Sequence, residues 1–475
     1  MRSLSRRGGK SCSGHKTIGS LLSRSFFLSL SGTDTNRLMF RSLLISPAAA
    51  LVASLLFLTC SPKSTWKYLR SEDLKAVPAS YDQTADNGRI NGQGRPLTTG
   101  ACNLYEAFEP DTNHLDHTPI RYIRINFHWM NSVDGAQNLK EDEARKFTLE
   151  LYKALNYSME NNKKMWLPNG NNTPCLPIRI KYQLTPDPTR PGDDGIYFHY
   201  DDKLYFYVTR GRNRNLYSRD VIEKYGVQPD SVLNIFMMPH HPDSLKSETY
   251  SAYNTGVALT NAMKLAAKWF EIKNPWDFRG VLNHETGHIY GLSHTWAYND
   301  GCDDTPQHPQ DCYSRGQYPG CDTMTSNNVM DYNAQQLAFT PCQIGKIHQR
   351  MAALNARQRG LLAPTWCKLD ETKTIVIRDT VAWLGAKDLE GNLVIENGGS
   401  LTIGCRVSVP PGGRISVHAG GTLILGEYAH LHNACGGRWK GIEVEQSGEL
   451  SGVVLTGGDP RIEDTDNGLS SAIKK

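Results

Sequence analysis

The sequence predicts two unlike folds in one chain of 475 residues. Residues 119–367 read as an α/β (α+β) catalytic domain with a mixed sheet and an active-site helix. Residues 368–475 read as an all-β, parallel β-helix-like domain. Three observations lead there. Alternating strand patterns flank a long amphipathic helix before residue 240. A histidine-rich helical motif at 284–294 is followed by loop-rich sequence. After Trp366-Cys367 helical spacing disappears, and short Val/Ile/Leu runs alternate with glycine pairs.

Ile123, Ile125, Phe127 and Trp129 alternate with Arg124, Asn126 and His128, the period of a strand. Residues 141–159 carry Ala144, Phe147, Leu151 and Leu155 at helical spacing, predicting a long amphipathic helix. Ile178, Ile180, Tyr182 and Leu184 give the next strand. Residues 197–208 predict two short strands around Asp201-Asp202, and 232–238 a central strand. Val257, Met263, Ala267 and Phe270 fall at helical spacing, so 256–270 is predicted as helix. His240 and His241 are expected at the surface.

In the C-terminal part, Gly398-Gly399-Ser400-Leu401-Thr402-Ile403 recurs 22 residues later as Gly420-Gly421-Thr422-Leu423-Ile424-Leu425. Leu393-Val394-Ile395 and Ile415-Ser416-Val417 share that offset. Strand–turn units at a fixed period suggest stacked coils of a parallel β-helix, with a compact β-sandwich as the alternative. The chain ends without a capping signature, as a truncated repeat array would. Residues 368–475 are expected to be a separate, non-catalytic unit, so that a chain ending near Cys367 would still fold.

Charge excludes one class of partner. Residues 1–59 carry eight of the 52 Lys/Arg and one of the 48 Asp/Glu, so the remainder is slightly acidic, 44 against 47. Nothing favours nucleic acid. Residues 43–58 form an apolar run behind Arg41, the length of a signal-peptide core and short for a membrane span. Met39 precedes it, so residues 1–38 read as an upstream extension. Phe57-Leu58-Thr59-Cys60-Ser61 resembles a bacterial lipobox, with Cys60 as the lipidated residue, although Thr59 replaces the usual small residue. The expected location is the cell envelope, as an outer-membrane lipoprotein anchored in the membrane through Cys60, or outside the cell after simple secretion. Residues 60–118 read as a linker or pro-like segment.

His284-Glu285-Thr286-Gly287-His288-Ile289-Tyr290-Gly291-Leu292-Ser293-His294 is the most informative stretch. On a helix, His284 and His288 project from one face and can bind one zinc ion. Gly291 lets the helix stop, so that His294 can supply a third ligand. Three ligands leave a position open for water, the pattern of a catalytic rather than a structural zinc. Glu285 stands one step round the helix and can act as general base on that water.

Further downstream, Asn328-Val329-Met330-Asp331-Tyr332 looks like the Met-turn of metzincin proteases. With His294-Thr295-Trp296, Asp300-Gly301-Cys302-Asp303-Asp304-Thr305-Pro306 and Phe339-Thr340-Pro341-Cys342-Gln343, it resembles the pappalysin (cytophagalysin) family of metzincins, and bacterial members in particular. The specific part spans residues 281–351. The resemblance implies a zinc metalloendopeptidase acting on protein or peptide substrates. It also implies an apolar floor at Met330, and an oxyanion-stabilising role for Tyr332. That family usually places a short edge strand before the active-site helix, from which the helix predicted at 256–270 departs.

Eleven cysteines suit an oxidising compartment. Cys302, Cys312, Cys321 and Cys342 are expected to pair with one another. Spacing allows three pairings, and the resemblance implies Cys302–Cys321 with Cys312–Cys342. Cys102 reads as free or as bonded to Cys175 or Cys367. Asp300, Asp303, Asp304 and Thr305 form an oxygen cluster that could hold calcium. The competing function is a surface adhesin or glycan-binding β-helix protein with an inactive metzincin unit. The intact Glu285 favours the protease.

Overall fold

The computed structural model describes residues 64–77, 101–166, 170–211, 213–296, 300–306, 326–332 and 336–469. The apolar run at 43–58, Cys60, Cys312 and Cys321 lie outside the described residues. No helix among the described residues is long and apolar enough to cross a membrane.

Part of the stretch expected to be a linker is two short strands, β1 (Ser64–Tyr68) and β2 (Lys75–Ala76). Both pair with the C-terminal domain. The half that carries the histidine motif is built on β3 (Arg121–Asn131), β4 (Ile180–Leu184), β5 (Ile196–Tyr200), β6 (Leu233–Pro239), β7 (Thr255–Ala258) and β8 (Ala262–Ala267). The sheet runs β4-β3-β6-β8-β7, with β5 continuing β4's side of β3. All pairs are parallel except the edge pair β7–β8. The predicted long helix, Glu141–Glu160, lays Ala144, Phe147, Leu151 and Leu155 onto this sheet. Trp129, Phe147, Trp269 and Phe278 lock helix, sheet and the approach to the motif helix through edge-to-face and tilted ring contacts of 4.8–5.7 Å.

Three expectations need correction. Residues 256–270 are not a helix but an antiparallel hairpin, β7 and β8, followed by a single 3₁₀ turn at Trp269–Glu271. All six residues of β8 are buried against β6, so no period-2 alternation is present to oppose the helical spacing. The edge strand usual in the family is therefore present. The second strand expected in 197–208 is a turn in which Asp201 accepts the N–H groups of Lys203 and Leu204. His240 is buried, hydrogen-bonded to the Tyr250 hydroxyl and the Tyr253 carbonyl, rather than at the surface.

The C-terminal half is strand-rich, with three parallel sheets visited in a fixed rotation. The first holds β9 (Ile375–Ile377), β12 (Leu393–Ile395), β15 (Ile415–Val417) and β18 (Ile442–Ser447). The second holds β10 (Thr380–Trp383), β13 (Ser400–Ile403), β16 (Thr422–Leu425) and β20 (Val453–Thr456). The third holds β11 (Lys387–Asp388), β14 (Arg406–Ser408), β17 (His430–His432) and β21 (Arg461–Ile462). A two-residue strand, β19 (Leu450–Ser451), folds back on β18. The 22-residue sequence offset is the hydrogen-bonding register: Leu393 faces Ile415 and Ser400 faces Thr422. Inward Leu, Ile and Val from all three sheets make one core.

The two halves are tied together. Disulfides Cys102–Cys405 and Cys367–Cys435 cross the boundary, so Cys102 is neither free nor bonded to Cys175 or Cys367. Asp388 is buried between Arg359 (2.7 Å) and Arg406 (2.6 Å), and its carbonyl accepts from Arg121 at 2.8 Å. Arg359 lies 4.4 Å over the Trp366 ring. This boundary is a built interface.

Candidate active site

The motif helix, Arg279–Ile289, carries His284, Glu285 and His288, all wholly or mostly buried. It stops at Gly291, whose φ of 90° an L side chain rarely adopts, and the chain turns to bring back His294. The three Nε2 atoms converge: 3.1 Å for His284–His288, 3.0 Å for His288–His294 and 3.2 Å for His284–His294.

Their protonation follows from the other ring nitrogen. His284 Nδ1 sits 2.7 Å from the Val329 carbonyl, and His288 Nδ1 2.8 Å from the Leu292 carbonyl. A carbonyl only accepts, so both Nδ1 atoms carry the proton and both Nε2 atoms present lone pairs. Burial favours neutral rings, pushing His284 down to about 3 and His294 to about 4. Converging lone pairs at this distance repel unless a cation lies between them. The spacing suits imidazoles sharing an ion about 2.0–2.1 Å from each. The residues present therefore fit a metal.

Glu285 packs beneath edge strand β7. It accepts the Ala258 N–H, and burial pushes its carboxyl up to about 8, a range suited to exchanging protons near neutral pH. Gly256 on β7 makes room for it: a Cβ there would lie 2.5 Å from Glu285 Cγ. Gly256→Ala is expected to displace the carboxylate, lowering kcat by roughly 10–10² while leaving the metal content intact. Equal turnover in that variant would show that the contact is unimportant.

Met330 lies fully buried against the motif helix, where a Cβ on Gly287 would approach its Sδ to 2.4 Å. The Met330 turn is fixed by polar side chains. Asn328 Oδ1 accepts the Met330 N–H at 2.8 Å, Asn328 and Gln343 exchange amide bonds of 2.8 and 3.0 Å, and Ser326 donates twice to Asp331. Tyr332 follows, half exposed, its ring 4.7 Å from His294 and 5.7 Å from His284. Trp296 stacks on His294 at 4.4 Å.

Thr340-Pro341-Cys342-Gln343 is a helix start: Thr340 and Gln343 form a reciprocal capping box on the helix Pro341–Ala352. Cys302 bonds to Cys342, not to Cys321, so the expected crossed pairing is corrected. Cys175 is disulfide-bonded too, and none of the other six described cysteines is its partner. In the oxygen cluster, Asp300 accepts the Cys302 N–H and the Thr305 hydroxyl, and Asp304 accepts the Cys342 N–H at the helix start. Lys346 Nζ donates to the Asp300 carbonyl at 2.6 Å, and Asp303 is exposed. These bonds fasten the loop to the helix. Cys302, Asp304 and Cys342 also lie close together, but both sulfurs are spent in the disulfide.

Gly256, Gly287 and Gln336, which donates to the Asp331 carbonyl at 2.7 Å beside His284, were not legible as site residues. Only Gly287, the smallest residue inside the histidine motif, carried a local signal.

Residues 217–352 match the peptidase M43 family described as Pregnancy-associated plasma protein-A. The chain carries a pappalysin-family metalloprotease domain. No curated protein matches the chain. Among solved structures it is similar to mirolysin in complex with compound 9, at 18% identity, covering 51% of this chain and 96% of that one, with a TM-score of 0.36. It is also similar to Tannerella forsythia mature mirolysin in complex with a cleaved peptide, at 18% identity, covering 50% and 94%, with a TM-score of 0.35. For a promirolysin mutant from the same organism the figures are 17%, 55% and 89%, and 0.35.

Proposed function

We propose that this chain is a zinc-dependent endopeptidase of metzincin type, exported to the cell envelope. The observation that carries the reading is the convergence of three Nε2 atoms, two of them fixed as lone-pair donors by their Nδ1 bonds, beside a buried carboxyl group, within a pappalysin-family domain. His284, His288 and His294 would hold the metal. Zinc, when bound, supplies Lewis acidity toward a scissile carbonyl and toward water. Glu285 takes the proton from the attacking water and hands it to the leaving amine. Tyr332, at the mouth of the site, donates its hydroxyl hydrogen to the developing oxyanion. Met330 and Gly287 hold the ligand helix against an apolar floor, and the Val329 and Leu292 carbonyls keep His284 and His288 in the ligating tautomer.

The purified full chain is expected to contain one zinc per protein and to cleave internal bonds of a peptide blocked at both ends. Stripping the metal with a chelator should abolish cleavage, and stoichiometric zinc should restore it. Undiminished cleavage after verified metal removal would sink the zinc reading. Attack on unblocked ends alone would sink the endopeptidase one.

Residues 368–469 are read as a parallel β-helix, supported by the fixed order of sheet visits and the 22-residue register. Residues 1–59 are read as an upstream extension and export signal, and Cys60 as a lipid anchor. A fatty-acid analogue should label the protein, and Cys60→Ala should abolish the label. A mature N-terminus well beyond Cys60 would mean simple secretion.

A further inference from the structure

A groove of about 670 Å³ lies on the outer face of the first C-terminal sheet, far along the chain from the histidines. One wall is β1, which pairs antiparallel with β18 so that Trp66 stands opposite Glu445 and Tyr68 opposite Glu443. Directly paired residues share a face. Trp66 and Tyr68 are among the exposed aromatics of the protein, at 43% and 37%. The Trp66 ring meets His418 edge-on at 4.9 Å.

The floor is polar and already ordered. Glu443 takes Arg414 Nε at 3.1 Å and the Ser416 hydroxyl at 2.6 Å, and it hydrogen-bonds the Tyr68 hydroxyl. Glu445 takes His418 Nδ1 at 3.0 Å and the Ala419 N–H at 3.2 Å. Asn392 Oδ1 accepts the Arg414 N–H at 3.1 Å, which directs the amide nitrogen elsewhere. Val394 is the one aliphatic side chain lining the groove.

We propose that this groove binds a neutral oligosaccharide. A sugar ring presents an apolar C–H face and a rim of hydroxyls that both donate and accept. That demands an exposed aromatic plane beside fixed carboxylates, guanidinium, amide and hydroxyl groups, the set found here. Other occupants fit less well. One aliphatic side chain gives a hydrophobic peptide anchor little to bury. Glu371 and Glu443 line the groove and Glu445 is bonded to its His418, so three carboxylates stand against Arg414 and His418, which disfavours a polyanion. A free cation would have to displace partners that Glu443 and Glu445 already hold. The volume falls within the range of about 300–1,000 Å³ usual for ligand sites, and the lining spans four adjacent strands, β1, β18, β15 and β12.

The test uses the full chain and titration calorimetry with hexasaccharides of glucose (α1,4 and β1,4), xylose, mannose and N-acetylglucosamine. Polygalacturonate, heparin and an unstructured decapeptide are the controls. At least one neutral hexasaccharide is expected to bind with Kd in the range of about 10 μM to 1 mM. Trp66→Ala should weaken that binding by about tenfold or more, and Trp66→Phe should retain most of it. Glu443→Gln, which preserves side-chain shape, should also weaken it, and peptidase kcat/KM on a short peptide should not change in any of the three. No binding of any neutral hexasaccharide at about 10 mM, binding unaffected by both Trp66→Ala and Glu443→Gln, or stronger binding of a polyanion or the decapeptide would overturn the assignment.

Discussion

Glu285→Ala is expected to remain folded and metal-loaded while its kcat/KM falls by about 10³-fold or more. The three converging nitrogens belong to His284, His288 and His294, and the orienting bonds of the first two run to the carbonyls of Val329 and Leu292. None passes through Glu285. What Glu285 contributes is a proton acceptor fixed by the Ala258 N–H and by its contact with Gly256. Glu285→Gln separates acid–base chemistry from packing. It fills the same volume and can still accept that N–H, so it should be as inactive as the alanine variant. Activity near wild type in Glu285→Gln, with metal content verified, would remove Glu285 from the chemistry.

Asp388→Asn should cause the largest loss of stability, about 3–5 kcal/mol, because it leaves Arg359 and Arg406 buried without their counter-ion. The neighbouring guanidiniums hold the Asp388 carboxyl far below the ordinary carboxylate range. Its contribution is therefore complete above the unfolded value of about 4 and is lost only as pH falls through the much lower folded value. Thermal melts of the wild type and Asp388→Asn should differ most from pH 5 upward and converge in strong acid. A constant difference at every pH would mean that Asp388 acts by shape rather than by charge. A chain ended near Cys367 would lose Asp388 and the partners of both Cys102 and Cys367 at once. It is expected to fold poorly, in contrast to the separable domain that the change in sequence texture suggested.

The histidine cluster, the carboxylate beside it and the C-terminal repeat were legible because each depends on local spacing. One helical turn separates His284 from His288. A glycine at Gly291 permits the turn that returns His294. A fixed 22-residue period carries the strand register unchanged from sequence to structure. The long helix at Glu141–Glu160 was readable for a similar reason, since one of its faces is buried and the other is wet.

What failed had a common cause. β8 is buried along its whole length, so it carries no alternation, and residues such as Ala262, Leu265 and Ala266 suit a helix as well as a strand. Only pairing with β6 decided it. The partners of Cys102 and Cys342, the fit of Gly256 against Glu285, and the meeting of Arg121, Arg359 and Asp388 depend on residues up to 303 positions apart. The sequence by itself determined which atoms could hold a metal and move a proton. The tertiary structure decided what holds those atoms in place, because burial and pairing between distant segments leave no periodic trace along the chain.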